Sequence, residues 1–388
     1  MASNIKKKKP ARTRREFFRY YDYNLLASVI LLTCFGLVML YSTSAYRAKM
    51  DYGNDAFFFG KQAAISAVCL VGLLVFSQVD YHLYARFATP LYVAANLILF
   101  ATKYVGKTVK GATRWIQIGP IQFQSAEIAK LAIILFLPVL IVKFGRNMRS
   151  LKAPMVLLGF GAISSLLTWK FTDNLSTAII IAGITVILVF VAHPYGRKMV
   201  VPSVILVVVA VIWVRYMAEQ IAAGSDSFRW QRILVWLNPE KYKADGGYQI
   251  LQALYALGSG GFFGKGLGNS SQKLGAVPEA QNDMIFSIVC EELGVFGAAL
   301  LTLMFVFLLY RLLFIAQNAP DLLGSMIVTG IFAHIALQVI LNIAVVINLI
   351  PTTGITLPFV SYGGTSVLFL MAEMTLALSV SRQIRIEE

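Results

Sequence analysis

The sequence has 388 residues, of which 58% are hydrophobic and 14% are charged. Soluble globular chains carry about 25% charged residues, so this composition excludes a soluble fold. The mean hydropathy is +0.71, and uncharged apolar windows recur that approach or exceed the ~20 residues needed to cross a bilayer. The sequence therefore predicts an all-α integral membrane protein that crosses the bilayer several times.

Ten apolar segments are the predicted transmembrane helices, with a large extracytoplasmic loop between helices 7 and 8. Their predicted bounds are 23–45, 62–79, 83–102, 125–142, 153–169, 174–192, 199–217, 284–310, 322–346 and 358–381. Residues 1–22 form a basic tail, residues 23–388 form a single ten-helix membrane domain, and the large loop spans 218–283. The first apolar run is longer than the ~7–15 residues of a signal-peptide core, which favours a retained helix.

Basic residues are divided unequally between the two predicted sides of the membrane. With the tail inside, the inner segments carry 18 Lys and Arg residues and the short outer loops carry 8. The positive-inside rule therefore predicts that both termini are cytoplasmic. Most of the net charge of +15 follows from this rule, so no nucleic-acid partner is implied. The outer segments also stay net positive, which suits either an anionic outer ligand or lipid headgroups.

The large loop contains an uncharged run, Gly246–Gly264, that is nearly long enough to span. Its helical apolar pattern ends in a glycine-rich stretch. Such a break at membrane depth is typical of re-entrant or interfacial helices that line a protein cavity. The segment is therefore predicted to lie against the membrane domain without crossing.

Two ionisable residues lie at the outer end of the fourth predicted span. Glu127 and Lys130 are three residues apart, which places them on one helix face where they can pair. Charges inside a span are costly, so such residues are functional candidates by default. A structural ion pair and a substrate-binding role are equally open. Just upstream, Arg114 is either a phosphate ligand or an interfacial residue beside the anchoring Trp115.

Four carboxylates lie near the start of the eighth predicted span: Glu279, Asp283, Glu291 and Glu292. On one helix, Asp283 and Glu291 would be ~12 Å apart. This exceeds the ~5–9.5 Å separation of glycosidase carboxylate pairs, so a paired-acid hydrolase is disfavoured. Asp283 is the best placed for chemistry, because water, a metal and a headgroup can reach it. The alternative is a helix N-terminal acid stabilised by the helix dipole.

Prolines and glycines break the longest apolar run at residues 348–367. The breaks predict a loop and a discontinuous helix start on the outer side. Backbone N–H groups there, together with Ser361, Tyr362, Thr365 and Ser366, are suited to bind anionic oxygens. A plain connecting loop is the alternative, although so many breaks at membrane depth disfavour it.

Five sequence blocks resemble the SEDS family, named for shape, elongation, division and sporulation. They are GATRWI followed by IGP and Q-x-x-E-x-x-K, RWQRILVWLNP at 229–239, GYQILQALYALGSGGFFGKGLGNSSQK at 247–273, PEAQNDMIFSIVCEELG at 278–294, and PTTGITLPFVSYGGTS at 351–366. The blocks occur in family order over nearly the whole chain. The QND segment resembles the division and sporulation branch, FtsW and SpoVE, more than the elongation branch, RodA.

The resemblance implies a peptidoglycan glycosyltransferase of the bacterial cytoplasmic membrane, acting in cell division or sporulation. Such an enzyme polymerises lipid II into glycan at the outer face, with undecaprenyl pyrophosphate as leaving group. The family's loop aspartate falls on Asp283, its span acid and lysine fall on Glu127 and Lys130, and its loop arginine falls on Arg114. QSAE, DNLST and Gln281-Asn282 depart from frequent family patterns without altering Asp283.

The implied reaction needs a base on the attacking hydroxyl and positive charge on the leaving group. Asp283 is the predicted base, although a carboxylate near cations can instead hold a metal. The other predicted substrate-binding residues are Arg114, Glu127, Lys130, Arg229, Arg232, Lys265, Lys273, Ser361 and Tyr362. A divalent cation, Mg²⁺ or Mn²⁺, is a further expectation, bound to Asp283. Expected partners are lipid II, a class B penicillin-binding protein (a transpeptidase) and other divisome membrane proteins.

Two other classes of function fit parts of the sequence. A lipid II flippase would also have many spans, intramembrane charges and broken helices. A non-enzymatic scaffold of the septal machinery is the third possibility. A flippase lines a path through the membrane with polar groups, whereas the motifs here gather at the predicted outer face. This placement favours the polymerase.

Overall fold

The structure is a computed structural model that describes residues 18–109, 112–119, 121–150, 152–194, 196, 212, 228–274, 277 and 280–386. Most of the predicted basic tail and nearly all of the predicted seventh span, 199–217, lie outside the described residues. The remaining nine predicted spans can be compared with the structure.

Apolar helices make up most of the described chain. In chain order they are α1 Tyr23–Tyr52, α2 Phe57–Phe76, α3 Tyr81–Arg86, α4 Ala88–Val105, α5 Ser125–Phe144, α6 Lys152–Thr172, α7 Leu175–Ala192, α8 Phe228–Leu237, α9 Gly247–Ser259, α10 Ile285–Asn318, α11 Leu322–Val346 and α12 Thr365–Ser381. Within the described ranges, 7 helices are long and apolar enough to cross a membrane: α1, α2, α5, α6, α7, α10 and α11. The prediction of a helical, multi-pass membrane protein is confirmed at this level.

Two predicted spans start later than the hydropathy pattern indicated. The third was expected from residue 83, but the helix breaks at Phe87 between α3 and α4. Pro90 lies in the first turn of α4, where its missing N–H is harmless; inside one continuous helix it would remove a hydrogen bond. The tenth was expected from residue 358, but α12 begins at Thr365 because Phe359 and Gly364 have positive φ angles of 62° and 46°.

A small antiparallel sheet connects α4 to α5, where the sequence predicted only a loop. Its strands are β2 Lys107–Val109, β3 Ala112–Ile118 and β4 Ile121–Gln124, in the order β2-β3-β4. Gly119, with φ +61°, lies in the turn between β3 and β4. The all-α prediction therefore describes the bundle but misses this sheet. We call this end of the bundle the hairpin end.

The opposite end holds both chain ends of the described structure. Strand β1, Phe18–Arg19, pairs antiparallel with β5, Arg385–Ile386. Asp22 is fully buried, caps α1 by accepting from Leu25 N, and forms an ion pair with Arg311 of α10 at 2.7 Å. We call this the terminal end.

Helix α11 is the central helix of the bundle and packs against α5, α7, α10 and α12. Of its apolar window, 61% is buried, compared with 17% for α2. A helix that is apolar all round must be surrounded by protein or lipid. The burial therefore assigns α11 to the protein core and most of the α2 surface to lipid.

A histidine bridges two aspartates at the terminal end. His82 Nδ1 lies 2.8 Å from Asp80 Oδ1, and His82 Nε2 lies 2.8 Å from Asp321 Oδ2. The Tyr81 hydroxyl donates to the other Asp321 oxygen at 2.8 Å. These contacts connect the α2–α3 turn to the N-cap of α11. Burial alone would lower the pKa of His82, but the hydrogen bonds to Asp80 and Asp321 outweigh it and raise this pKa.

This bridge predicts a pH-dependent contribution to stability. Because the folded pKa of His82 is raised, the contribution is full below the unfolded pKa of about 6.5 and is lost as the pH rises through the folded pKa. We expect at most about 1 kcal/mol, because the three groups are partly exposed. Thermal unfolding in detergent, measured on both sides of this range, should show a decline in the wild type that His82→Gln lacks. Equal pH dependence of the two proteins would contradict this role.

Candidate active site

Asp283 lies at the hairpin end, two residues before α10 begins. Its backbone carbonyl accepts a hydrogen bond from Asn342 Nδ2 of α11 at 2.9 Å, and the same amide donates to Ile355 O at 2.7 Å. Its side chain is half-buried, and its Oδ2 lies 4.0 Å from the position that a Cβ on Gly354 would take. The carboxylate therefore borders the segment that follows α11.

That segment, residues 347–364, is held in place by side chains from other elements, and we call it the site loop. Its carbonyl oxygens at Asn348, Thr352, Thr353, Ile355 and Thr356 accept hydrogen bonds from Trp236, Arg232, Ser176, Asn342 and Gln338, respectively. These donors come from α7, α8 and α11. The path of the loop is thus defined by partly or fully buried polar contacts, which disfavours the plain connecting loop.

Two guanidinium groups share the surroundings of Asp283. Arg232 of α8 donates to Thr352 O at 3.2 Å, and Arg114 of β3 donates to Asp173 O at 2.8 Å. Burial lowers the pKa of Arg232 and the negative charge of Asp283 opposes this shift. Burial also lowers the pKa of Arg114, and the positive charge of Arg232 adds to that effect. Arg232 and Asp283 both border the site loop, at Thr352 and Gly354 respectively.

The pair predicted on the fourth span is present. Lys130 Nζ lies 2.9 Å from Glu127 Oε1, and both side chains are buried at the hairpin end of α5. Lys130 also donates to Gln338 Oε1 at 3.3 Å, and Gln338 donates to Thr356 O at 2.9 Å. The pair is therefore connected through Gln338 to the site loop. Its contact with a substrate stays a prediction.

Ser361 and Tyr362 belong to the site loop but take part in its internal structure. The Ser361 hydroxyl accepts a hydrogen bond from Leu357 N at 2.8 Å and is buried. Tyr362 N donates to Gln281 O at 2.9 Å, and its ring meets Phe58 edge-on at 5.2 Å. These contacts tie the loop to the approach to Asp283, and a role in anion binding stays a prediction.

Two predicted substrate lysines lie in a different cluster. Lys265 pairs with Glu291 at 2.6 Å, and Lys273 pairs with Glu292 at 2.8 Å. Both carboxylates are fully buried, and Ser42 of α1 donates to Glu292 at 2.7 Å. The structure thus places these lysines beside buried carboxylates of α10, and their contact with a substrate stays a prediction. The backbone of Arg229 lies in α8, one turn before Arg232, and its side chain lies outside the described residues.

The glycine-rich segment after α9 docks on a kink in α10. Gly294 has φ +67°, and a Cβ there would lie 2.4 Å from Gly264 N. Lys265 N and Gly266 N donate to the carbonyls of Glu291 and Glu292, each at 2.9 Å. This docking was not predicted from the sequence. The glycines allow two backbones to approach closely, but those backbones are about 30 positions apart in the sequence and meet only in the folded structure.

The described residues contain no group of three or more His, Cys, Asp and Glu side chains that could hold a metal. Mg²⁺ is often bound by one or two carboxylates together with substrate phosphates and water. Asp283 could supply one such carboxylate, and the binding of a divalent cation stays a prediction.

Comparison with known proteins identifies the family of this chain. Residues 22–386 match the profile of the FtsW, RodA and SpoVE family, described as "Cell cycle protein". The chain belongs to this family. The predicted resemblance, including its FtsW and SpoVE character, is confirmed.

Two similar sequences illustrate the relationship. The chain is 36% identical over 382 residues to the probable peptidoglycan glycosyltransferase FtsW of Trichlorobacter lovleyi, covering 94% of each chain. It is 36% identical over 367 residues to stage V sporulation protein E of Bacillus subtilis, covering 94% of this chain and 98% of the relative.

Two solved structures share the fold. One chain, from a peptidoglycan synthase complex that coordinates polymerization and crosslinking, matches with a TM-score of 0.76 and 25% identity, over 93% of this chain and 98% of the other. The rod shape determining protein RodA of Thermus thermophilus matches with a TM-score of 0.66 and 25% identity, over 93% of this chain and 97% of the other.

The Glu127–Lys130 pair yields a stability prediction. Lys130→Met leaves a buried carboxylate without its cation, which costs about 3–5 kcal/mol and should reduce accumulation of folded protein. The double variant Glu127→Leu/Lys130→Met removes both charges and should recover most of the lost thermal stability in detergent. Lys143→Met, at an exposed position on the same helix, is the control. Equal stability of the single and double variants would show that the two charges are not coupled.

Proposed function

We propose that this protein is a peptidoglycan glycosyltransferase that polymerises lipid II, in cell division or sporulation. Family membership and the names of its relatives support this activity. The observation that carries the proposal is the position of Asp283 and Arg232 beside the site loop, where Asp283 Oδ2 borders Gly354 and Arg232 donates to Thr352 O. A carboxylate and a guanidinium beside one loop suit a reaction in which a hydroxyl loses a proton while a pyrophosphate leaves.

The chemistry assigns a role to each of these groups. The 4-hydroxyl oxygen of one sugar attacks the anomeric carbon of another, the bond from that carbon to lipid pyrophosphate breaks, and Asp283 accepts the hydroxyl proton. Arg114 and Arg232 stabilise the negative charge that develops on the leaving pyrophosphate. Alternatively, Asp283 would hold a divalent cation, Mg²⁺ or Mn²⁺, in place of acting as the base, and the cation would supply further positive charge for the leaving group. General-base catalysis of this kind contributes ~10²–10⁴ in rate.

The chain is further proposed to cross the membrane ten times with both termini in the cytoplasm. Nine of the described helices lie at predicted spans: α1, α2, α4, α5, α6, α7, α10, α11 and α12. Because β1 pairs with β5, the two chain ends share one side, which requires an even number of crossings. One more crossing between α7 and α8 satisfies this, where the sequence predicts a span at 199–217. The hairpin end then faces outward, and the large loop separates helices 7 and 8.

Helix α9 supports this topology because it is short. It has 13 residues, or ~20 Å of helix, against the ~30 Å of the hydrocarbon core. It therefore suits a helix that lies within the loop and packs on the bundle.

Site-directed labelling tests this arrangement. Single cysteines are introduced into a variant that lacks Cys34, Cys69 and Cys290. The two loop positions are Tyr248→Cys, near the start of α9, and Leu267→Cys, after the turn that follows α9. Both residues are exposed. Both should react with an impermeant thiol reagent added outside, and Ser150→Cys should react only after the membrane is permeabilised. Labelling of only one of the two loop positions would mean that α9 crosses the membrane.

A class B penicillin-binding protein is the proposed enzymatic partner. The similar chain from the synthase complex belongs to an assembly that coordinates polymerization with crosslinking. Crosslinking requires a transpeptidase, and the polymer made here would be its substrate. Other divisome membrane proteins are further proposed partners.

The lipid II flippase and the septal scaffold are the alternatives that the decisive experiment must distinguish. In detergent the membrane no longer separates two compartments, so flipping produces no product. A polymerase with its transpeptidase partner should convert lipid II into long glycan there, and neither alternative does so.

Asp283→Asn should reduce that polymerisation by at least ~10², the lower value for loss of a general base. Folding should change little, because asparagine keeps the side-chain shape. Asp51→Asn, which removes an exposed carboxylate at the end of α1, is the matched control and should retain activity. Lipid II recovered unchanged from a partnered, folded wild type would reject the polymerase. Full activity of Asp283→Asn would remove Asp283 from the mechanism and leave the polymerase in place.

A further inference from the structure

A buried histidine and glutamate pair lies in the middle of the bundle, apart from the proposed active site. His334 is at the midpoint of α11 and Glu373 is at the midpoint of α12, with 0% and 1% of each residue exposed. His334 Nδ1 lies 2.8 Å from Glu373 Oε2. Ionisable groups at this depth are costly and mark functional positions by default.

Among the described residues, the ion pairs of the neighbouring helices do not involve His334 or Glu373. Glu373 is the sole Asp, Glu, Lys or Arg on α11 and α12. On the packed helices α5 and α10, the buried charges Glu127, Lys130, Glu291, Glu292 and Arg311 have other partners.

Two atoms of the pair have no hydrogen-bond partner among the described residues. These are His334 Nε2 and Glu373 Oε1, both fully buried. A buried polar atom without a partner costs free energy, so apolar side chains would pack there more favourably. The pair therefore needs an explanation other than stability.

The helices that carry the pair are the two stems of the site loop. α11 ends where the loop begins, and α12 starts directly after it. On α11, His334, Gln338 and Asn342 are spaced by four residues and share one face. Gln338 and Asn342 hold the loop carbonyls of Thr356 and Ile355, and Asn342 also holds Asp283 O.

We propose that His334 and Glu373 are positioning residues for the site loop. Their hydrogen bond sets the rotation and separation of α11 and α12, and this geometry places Gln338 and Asn342 beneath Asp283. An apolar contact would keep the helices together without defining their rotation, because packing is less directional than a hydrogen bond. The consequence for catalysis rests on the proposed glycosyltransferase function.

Four variants distinguish a positioning role of the hydrogen bond from simple core packing. Glu373→Gln retains a hydrogen bond to the imidazole, Glu373→Leu and His334→Leu each remove it, and the double leucine variant restores an apolar core. Thr375→Val is the matched control on α12, because its hydroxyl bonds only to Met371 O of the same helix. All variants are first compared for monodispersity and thermal unfolding in detergent.

The first measurement is lipid II polymerisation with the transpeptidase partner. We expect kcat to fall about tenfold or more in the double leucine variant with KM changed less than about threefold, because a small displacement of Asp283 impairs chemistry more than binding. Glu373→Gln and Thr375→Val should stay near wild type. A stable double variant with wild-type kcat would overturn the proposal.

The second measurement does not depend on enzymatic activity. Hydrogen–deuterium exchange of the amides in residues 350–364 should be faster in Glu373→Leu and in the double variant, and unchanged in Glu373→Gln and Thr375→Val. Unchanged exchange in the double variant would overturn the positioning role. If the wild type makes no glycan, the proposed function fails while this measurement still decides the inference.

Discussion

The bilayer interior imposes one constraint on every ionisable side chain in this protein: a charge placed there must have a partner. The structure meets it with short ion pairs that each join two parts of the chain. Lys265 with Glu291 and Lys273 with Glu292 join the loop after α9 to α10, and Asp22 with Arg311 joins α1 to α10 at the terminal end. Because leaving a single partner behind is far more costly than the pair itself, these contacts specify which helices meet and in which register.

Asp283 lies at the boundary of the bundle. It is half-buried and its backbone is held by Asn342. Arg232, which shares the site loop with Asp283, and Arg114 are each anchored to a backbone carbonyl and use only part of their hydrogen-bonding capacity there. A carboxylate positioned in this way is accessible to a substrate while its surroundings remain ordered, which is what preorganised electrostatic catalysis requires.

The site loop connects the buried interior of the bundle with the boundary region around Asp283. Its irregular backbone lies at the hairpin end, where carbonyl groups need donors, and donors from α7, α8 and α11 supply them. The buried pair of His334 and Glu373 joins the two helices from which the loop emerges. A helical bundle can therefore carry a precise polar site, because side chains from its helices support an irregular segment.

Hydrophobic length and charge are local properties, so the sequence alone was enough to predict the membrane class and the approximate spans. Together with the family motifs it also singled out Asp283 as the proposed base, a role that stays a prediction. The spacing of Glu127 and Lys130 likewise predicted their ion pair. Contacts between distant parts of the chain depend on the fold: Lys265 and Lys273, predicted as substrate ligands, pair with Glu291 and Glu292, and their contact with a substrate stays a prediction. The β2–β4 sheet and the donors to the site loop could not be predicted from the sequence either, because contacts between residues distant in sequence form only when the chain folds and the helices pack.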